Sequence, residues 1–224
     1  MYRDKRIRII VGHYGSGKTE FSVNYALKIA QQGKKVALVD LDIVNLYFRS
    51  REKEKVLEKS NVKVISSSIK ASAVDIPAIS AEAYAPLQNE KYDTILDIGG
   101  DPVGARVLGR YNDILKEGSY DMFFVLNANR PETNTLDKAI GYLNAIEGAS
   151  RKKVTGIINN THMLKSTTVD DVLKGQKLAK ELSQKLEIPI KYIVALESVA
   201  EKLPNNLEGE IFPINLYMRE DWML

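Results

Sequence analysis

Short apolar runs recur along the chain at Ile7–Val11, Lys35–Asp40, Val62–Ile65, Tyr92–Asp97, Met122–Asn127, Val154–Asn159 and Ile190–Val194, mostly separated by longer stretches of helical periodicity. This alternation predicts an α/β fold of three layers, a mostly parallel sheet with helices on both faces. Val36-Ala37-Leu38-Val39 and Phe123-Phe124-Val125-Leu126 are near-continuous apolar runs, as expected of central strands buried on two sides. Helices are expected over Lys18–Gln32 with Gly33 as its stop, Val103–Lys116 before Gly118, Glu132–Glu147 before Gly148, and Val169–Leu186 before Pro189. Ile43–Lys59 carries a weaker helical pattern, and its charged run Arg49 to Lys55 reads as a solvated face. Residues 66–87, with three consecutive serines and two prolines, receive no element, and no internal repeat is visible.

Composition narrows the picture without redirecting it. At 224 residues, with no linker-like stretch, residues 1–224 are expected to form one domain. The 32 basic and 29 acidic residues leave a net charge of +3, far from the concentrated basic footprint of a dedicated nucleic-acid binder. The absence of cysteine excludes disulfides, thiolate nucleophiles and Cys-ligated metal or iron–sulfur sites within this sequence. No apolar stretch is long enough to span a bilayer and the start lacks a signal-peptide core, so a cytoplasmic location is expected.

The first strand runs directly into Gly12-His13-Tyr14-Gly15-Ser16-Gly17-Lys18-Thr19, and a helical pattern begins at once with Glu20-Phe21-Ser22. Gly-x4-Gly-Lys-Thr between a strand and a helix is a phosphate-binding loop. Its glycines let successive N–H groups turn inward around phosphates, and the helix N-terminus adds its positive end. Gly12 to Glu20 is therefore the expected nucleotide-binding segment, with Lys18 on the β- and γ-phosphates and the Thr19 hydroxyl on Mg²⁺. The competing reading, a Gly-rich turn with a solvated lysine, leaves Lys18 and Thr19 unexplained. His13 within the loop is read as a phosphate or partner contact or as a plain spacer.

In an open α/β sheet the ligand lies beyond the carboxyl ends of the strands. There the chain places Asp40-Leu41-Asp42 and Asp97-Ile98-Gly99-Gly100. Asp40 and Asp97 are candidates to hold Mg²⁺, and Asp42 to orient an attacking water or to cap the next segment. The glycines after Asp97 suit a loop that senses a γ-phosphate. Asn127 and Asn160, at two further strand ends, are read as adenine-edge contacts or as ordinary turn residues. The Asn-Lys-x-Asp segment typical of guanine recognition is missing, which favours ATP over GTP. His162 is a lone histidine without metal-ligand spacing, and the apolar tail Ile214–Leu224 is read as packing on the domain or a partner rather than skimming a membrane.

With these residues in place, the chain resembles the MinD/ParA and CobQ/CobB branch of the SIMIBI-class P-loop NTPases over most of its length. The likeness is carried by the loop Gly12 to Thr19, Val39-Asp40-Leu41-Asp42, the Asp97 strand and the Asn127 to Pro131 segment. It implies an ATP-dependent homodimer that sandwiches nucleotide, with hydrolysis separating the subunits and driving a partner. It also implies a water-orienting role for Asp42, Mg²⁺ assistance from Asp40 and Asp97, and adenine contacts from strand-end asparagines. Most relatives carry a second lysine directly after the first loop glycine, where this chain has His13.

The motifs fit best an Mg²⁺-dependent ATPase switch acting on an unidentified client protein, in enzyme or cofactor maturation. A positioning ATPase on nucleoid or membrane would need a basic stripe or an amphipathic tail, neither of which is evident. A small-molecule kinase or ATP-dependent ligase of the dethiobiotin-synthetase type would need a substrate pocket beside the γ-phosphate, for which Ser66 to Lys70 and Arg106 are candidates.

Overall fold

The computed structural model describes residues 4–42, 56–65 and 76–218, with side chains of the last stretch described from residue 82. Eight strands form one sheet: β1 (Ile7–Val11), β2 (Lys35–Asp40), β3 (Val62–Ile65), β4 (Tyr92–Asp97), β5 (Tyr120–Leu126), β6 (Gly156–Asn159), β7 (Ile190–Leu196) and β8 (Glu210–Ile214). Their order is β3-β2-β4-β1-β5-β6-β7-β8, and every pairing is parallel. All carboxyl ends therefore lie along one edge. β1 sits centrally between β4 and β5, with Ile10 in register with Asp97 and Phe123, so the chain leaves β1 flanked by the ends of both neighbours.

The period-two alternation of each strand divides the core. Ile7, Ile9, Val11, Leu96, Met122, Phe124 and Leu126 face one layer. That layer holds α2 (Ile76–Gln88), a 3-10 helix (Gly104–Tyr111), α3 (Leu136–Ser150) and α4 (Val169–Leu186). Ile10, Val36, Leu38, Ile95, Phe123 and Val125 face the other, where α1 (Lys18–Ala30) packs through Phe21, Tyr25, Ala26 and Ile29. Burying strands on both sides is why their sequences are continuously apolar. At the end of α1, Gly33 adopts a φ of 80° and donates its N–H to Ala30, the left-handed stop its sequence position predicts.

Several expectations are corrected. Val103–Lys116 is no α-helix: Gly104–Tyr111 winds as a 3-10 helix followed by turns. Gly104 and Gly109 weaken an α-helix there, and the Asp101 carboxylate takes the Gly104 N–H at 2.5 Å to start a tight turn. The helix expected from Glu132 begins at Leu136, because Asn127 to Thr133 closes into turns of its own, and it runs past Gly148 to Ser150. β5 begins two residues earlier than expected, at Tyr120, and β6 two later, at Gly156.

Three elements were not expected, among them a single helical turn at Glu197–Ala200. β8 contains Pro213, which the sheet tolerates because β8 pairs only with β7, at the edge. α2 contains Pro86 near its end, where the Arg6 guanidinium takes the carbonyls of Pro86 and Leu87 at 3.1 and 2.6 Å. Those carbonyls have no intrahelical partner, so Arg6 caps the helix. The expectations for residues 43–55, 66–75 and 219–224 lie outside the described residues. No helix among the described residues is long and apolar enough to cross a membrane.

Candidate functional site

Between β1 and α1 the chain turns back on itself, and three positions accept only glycine. Gly12, Gly15 and Gly17 have φ of 149°, 72° and 84°. A Cβ on Gly12 would stand 2.5 Å from the Val125 carbonyl oxygen, and one on Gly17 2.2 Å from the Asn160 amide nitrogen. The loop's carbonyls are held both from within and by residues beyond two other strands. His13 O accepts Ser16 N–H at 3.1 Å and Lys18 Nζ at 3.2 Å, Gly15 O accepts Arg130 Nε at 2.9 Å, and Ser16 O accepts Asn160 Nδ2 at 2.8 Å. With these carbonyls engaged, the loop and the first turn of α1 offer N–H groups to an anion, and the helix dipole adds its positive end. Gly17 at the N-cap brings no side chain to compete for them.

Lys18 is only 6% exposed, beneath this loop. Burial pushes its ammonium below the ordinary lysine range, while Asp97, Asp42 and Asp101 oppose the shift. Burial likewise pushes the Asp97 carboxyl up to about 6, with Asp42 adding to the shift and Lys18 and the Thr19 hydroxyl opposing it. Asp40 accepts the Asp42 N–H at 2.9 Å, and both aspartates are buried. The structure thus brings Lys18, Thr19, Asp42 and Asp97 together at the end of β1, β2 and β4.

The glycines after Asp97 pass directly over the loop. A Cβ on Gly100 would lie 2.7 Å from Tyr14 Cα and 3.1 Å from Lys18 Nζ, and one on Gly99 3.4 Å from the Asp42 carboxylate. Tyr142, on α3, donates its hydroxyl to Gly100 O at 2.5 Å. Burial, then Asp101 and Glu132, raise that hydroxyl to about 12, so it remains a donor. His13 faces the same helix layer: its ring meets Tyr142 edge-on at 5.1 Å, and its Nε2 lies 3.6 Å from Glu132.

Other expected residues occupy supporting positions. Asn127 is completely buried; its carbonyl takes the Thr133 hydroxyl and its side-chain oxygen takes the Asn129 N–H. Asn160 is buried against the loop rather than facing outward. Glu20 receives the backbone N–H groups of Tyr217 and Met218, and Asn24 exchanges two hydrogen bonds with Asn215, so the segment after β8 packs on α1. Sequence reasoning missed Arg130 and Tyr142 as site residues. Arg130 stands just beyond a strand end and could have been found there, whereas nothing in the pattern of α3 marks Tyr142.

Buried polar atoms without a hydrogen-bond partner gather around this loop: His13 Nδ1, Ser16 Oγ, Ser22 Oγ, Asp97 Oδ1 and Asn127 Nδ2. Buried polar groups are ordinarily satisfied, so such a cluster is suited to a ligand that supplies the missing partners. The donors fit a polyphosphate, and the Thr19 hydroxyl with one or two of the strand-end carboxylates offers hard oxygens of the kind that Mg²⁺ takes when a nucleotide supplies the rest. Further along the same edge, an open groove of about 500 Å³ is lined by Lys165, Leu196, Ser198, Glu201, Asn215 and Leu216 among others.

The chain matches the CobQ/CobB/MinD/ParA nucleotide binding domain over residues 8–203. Among solved structures it is similar to the cell division protein FtsY of Thermotoga maritima, at 24% identity and a TM-score of 0.57, over 83% of this chain and 60% of that one. It is also similar to FtsY of Mycoplasma mycoides, at 22% identity and a TM-score of 0.57, over 85% of this chain and 61% of that one. A third is the Signal Recognition Particle 54 kDa protein of Aeropyrum pernix K1 in complex with GDP, at 20% identity and a TM-score of 0.52, over 80% and 40%. At these identities the likeness speaks for the fold alone, and the chain spans about 60% of the length of the two FtsY chains. No curated protein matches it in sequence. A phosphate-loop geometry on an all-parallel sheet, together with a family match over most of the chain, places this protein in the CobQ/CobB/MinD/ParA nucleotide-binding domain family.

Proposed function

We propose that the protein is an Mg²⁺-dependent ATPase switch that acts on a client protein. The observation that carries this reading is the buried Lys18 ammonium beneath a braced loop, facing the Asp97 carboxylate that burial disfavours. A polyphosphate would satisfy Lys18, Ser16 Oγ and the loop amides. Mg²⁺ would neutralise charge on the phosphates and on Asp97. Among the described residues no group of three His, Asp or Glu side chains could hold a metal alone. That fits an ion held jointly by Thr19, one or two carboxylates and the nucleotide, as Mg²⁺ commonly is.

In this reading Lys18 stabilises the β- and γ-phosphate oxygens, Asp42 orients the attacking water, and Asp40 and Asp97 assist the metal. Phosphoryl transfer needs positioning and charge neutralisation more than covalent help. The Gly99-Gly100 segment, lying against Tyr14 and Lys18, is placed to respond when a γ-phosphate arrives. The groove at the ends of β7 and β8 suits the base, with Leu196 and Leu216 for its faces and Ser198 and Asn215 for its edge. Adenine is favoured because Asn160-Thr161-His162-Met163 stands where a guanine site would end in an aspartate, and Met163 is 56% exposed.

Partner binding at this edge is supported by exposed apolar side chains. Tyr14 and Val103 are 60% and 64% exposed, one in the loop and the other beside the Gly100 segment. They suit a client or a second copy of the chain that closes over bound nucleotide, in keeping with the family's nucleotide-dependent homodimers. Single-turnover assays test the chemistry. Asp42→Ala is expected to bind ATP normally and hydrolyse it at least tenfold more slowly, on the order of what one positioned catalytic group contributes. Wild-type turnover would remove Asp42 from the mechanism. Gel filtration with a non-hydrolysable ATP analogue tests assembly, and a persistent monomer would favour the kinase or ligase reading.

A further inference from the structure

We propose that Arg130 is a second cationic residue of the polyphosphate site, bracing the loop through Gly15 and presenting the rest of its guanidinium to the phosphates. This rests on the nucleotide reading above and adds to it a residue that the motif does not contain. Arg130 follows β5 on a rigid turn: its N–H donates to Asn127 O at 3.1 Å, its carbonyl accepts Thr133 N–H at 3.0 Å, and the Thr133 hydroxyl returns to Asn127 O at 2.9 Å. The neighbouring Asn129 is tied to Asp171 and Lys174 of α4 at 3.2 and 2.8 Å. The arginine is therefore delivered to the loop from a fixed base rather than from a mobile surface.

Its guanidinium lies flat against Gly15. Nε donates to Gly15 O at 2.9 Å, and a Cβ on Gly15 would meet Cζ, Nη2 and Nε at 2.8, 2.9 and 3.0 Å. The φ of 72° already favours glycine at position 15, and the guanidinium fills the space that its missing side chain leaves. A guanidinium is always charged and carries five N–H donors, of which the protein engages one here. Arg130 is half-buried, yet among the described residues no carboxylate pairs with it. The nearest acidic residue in sequence, Glu132, faces His13 instead. A partly desolvated arginine without an anion, seated on a loop built to hold anions, is matched by a phosphate oxygen better than by water.

The position of His13 sharpens the assignment. The residue after the first loop glycine is turned toward Glu132 and Tyr142, so it supplies no fixed cation to the loop's own phosphates. Arg130 reaches the same loop from a different strand and brings it a fixed positive charge.

The test is calorimetric titration of Mg-ATP, Mg-ADP and AMP into the full chain and its Arg130→Ala, Arg130→Lys and Lys18→Ala variants. Arg130→Ala is expected to weaken ATP by about tenfold, the scale of one charge-assisted hydrogen bond, with a smaller loss for ADP and none for AMP. Its affinity for ATP is expected to depend less on salt concentration than that of the wild type. Arg130→Lys is expected to recover part of the loss, since it restores charge without the planar fork. An equal loss for ATP and AMP would show that Arg130 only shapes the loop, and unchanged ATP affinity with unchanged salt dependence would remove it from the site; either result overturns the proposal. Lys18→Ala separates the two readings. If that variant still binds ATP like the wild type, the nucleotide site itself is misplaced and the Arg130 assignment falls with it.

Discussion

The two edges of the sheet both bury charge, and they treat it in opposite ways. At the amino-terminal edge, Arg8, only 1% exposed, is paired with Asp93 at 2.5 Å, and Lys34 joins the same carboxylate at 3.4 Å. Nearby, Asp4 pairs with Lys191 at 2.8 Å and accepts the hydroxyls of Tyr25 and Tyr192. Burial alone would raise the Asp4 carboxyl, but those bonds more than offset it and hold the group below the ordinary range. At the carboxyl-terminal edge, burial wins: Asp97 is raised to about 6 and Lys18 is lowered, and polar atoms are left without partners. At the first edge each of these buried charges has an opposite partner within the chain, although Arg8 Nε is left without a hydrogen bond. At the second the unpartnered atoms are more numerous and lie around the loop after β1, which is why the site is proposed there.

The contrast breaks first, and most severely, at the edge whose buried charges are paired. Asp93→Ala leaves the buried Arg8 without its partner and is expected to cost about 3 kcal/mol or more, read by urea unfolding, while ATP affinity per folded molecule stays unchanged. At the other edge the largest effect is on binding rather than folding. Lys18→Ala is expected to lower Mg-ATP affinity about a hundredfold, the scale of losing a buried charge-assisted contact, with little loss of stability in the free protein.

Asp97→Asn sharpens the comparison through pH. A carboxyl raised from about 3.9 unfolded to about 6 folded binds more protons in the native state between those values. The free protein therefore loses stability as pH rises through that window. The variant, which carries no charge there, is expected to be more stable than the wild type by about 1–3 kcal/mol above pH 6 and equal to it below about pH 4, in thermal unfolding at a series of pH values. It is also expected to bind Mg²⁺ with ATP more weakly, read by calorimetric titration of Mg-ATP. A wild type whose stability in this window is flat would contradict the raised carboxyl. The smallest effect is expected of Tyr142→Phe. Losing the hydrogen bond to Gly100 costs about 1 kcal/mol and speeds hydrogen exchange in the Gly99-Gly100 segment, measured by mass spectrometry.

What could be read in the sequence follows from how local each cause is. β1 through β4 and α4 fall on the residues that their apolar runs and stops predict, because burial on two faces writes itself into consecutive positions. The phosphate loop is legible for the same reason: its glycines, lysine and threonine act at fixed spacing between one strand and one helix. β8 was hidden because Pro213 argues against a strand unless its edge position is known. The 3-10 helix was hidden because hydrophobic spacing alone does not separate it from an α-helix. Arg130 and Tyr142 were hidden differently. Their contacts to Gly15 and Gly100 join residues far apart in the chain, and only the sheet order brings those segments together.

The central claim is that the turn after β1 grips a polyphosphate. It is tested most directly by following backbone amide resonances of isotope-labelled protein while Mg-ATP is added. The account predicts large, saturable shifts at Gly15 through Thr19 and at Gly99 and Gly100, absent in the Lys18→Ala variant. Shifts confined to other parts of the molecule, or none at saturating ATP, would contradict it.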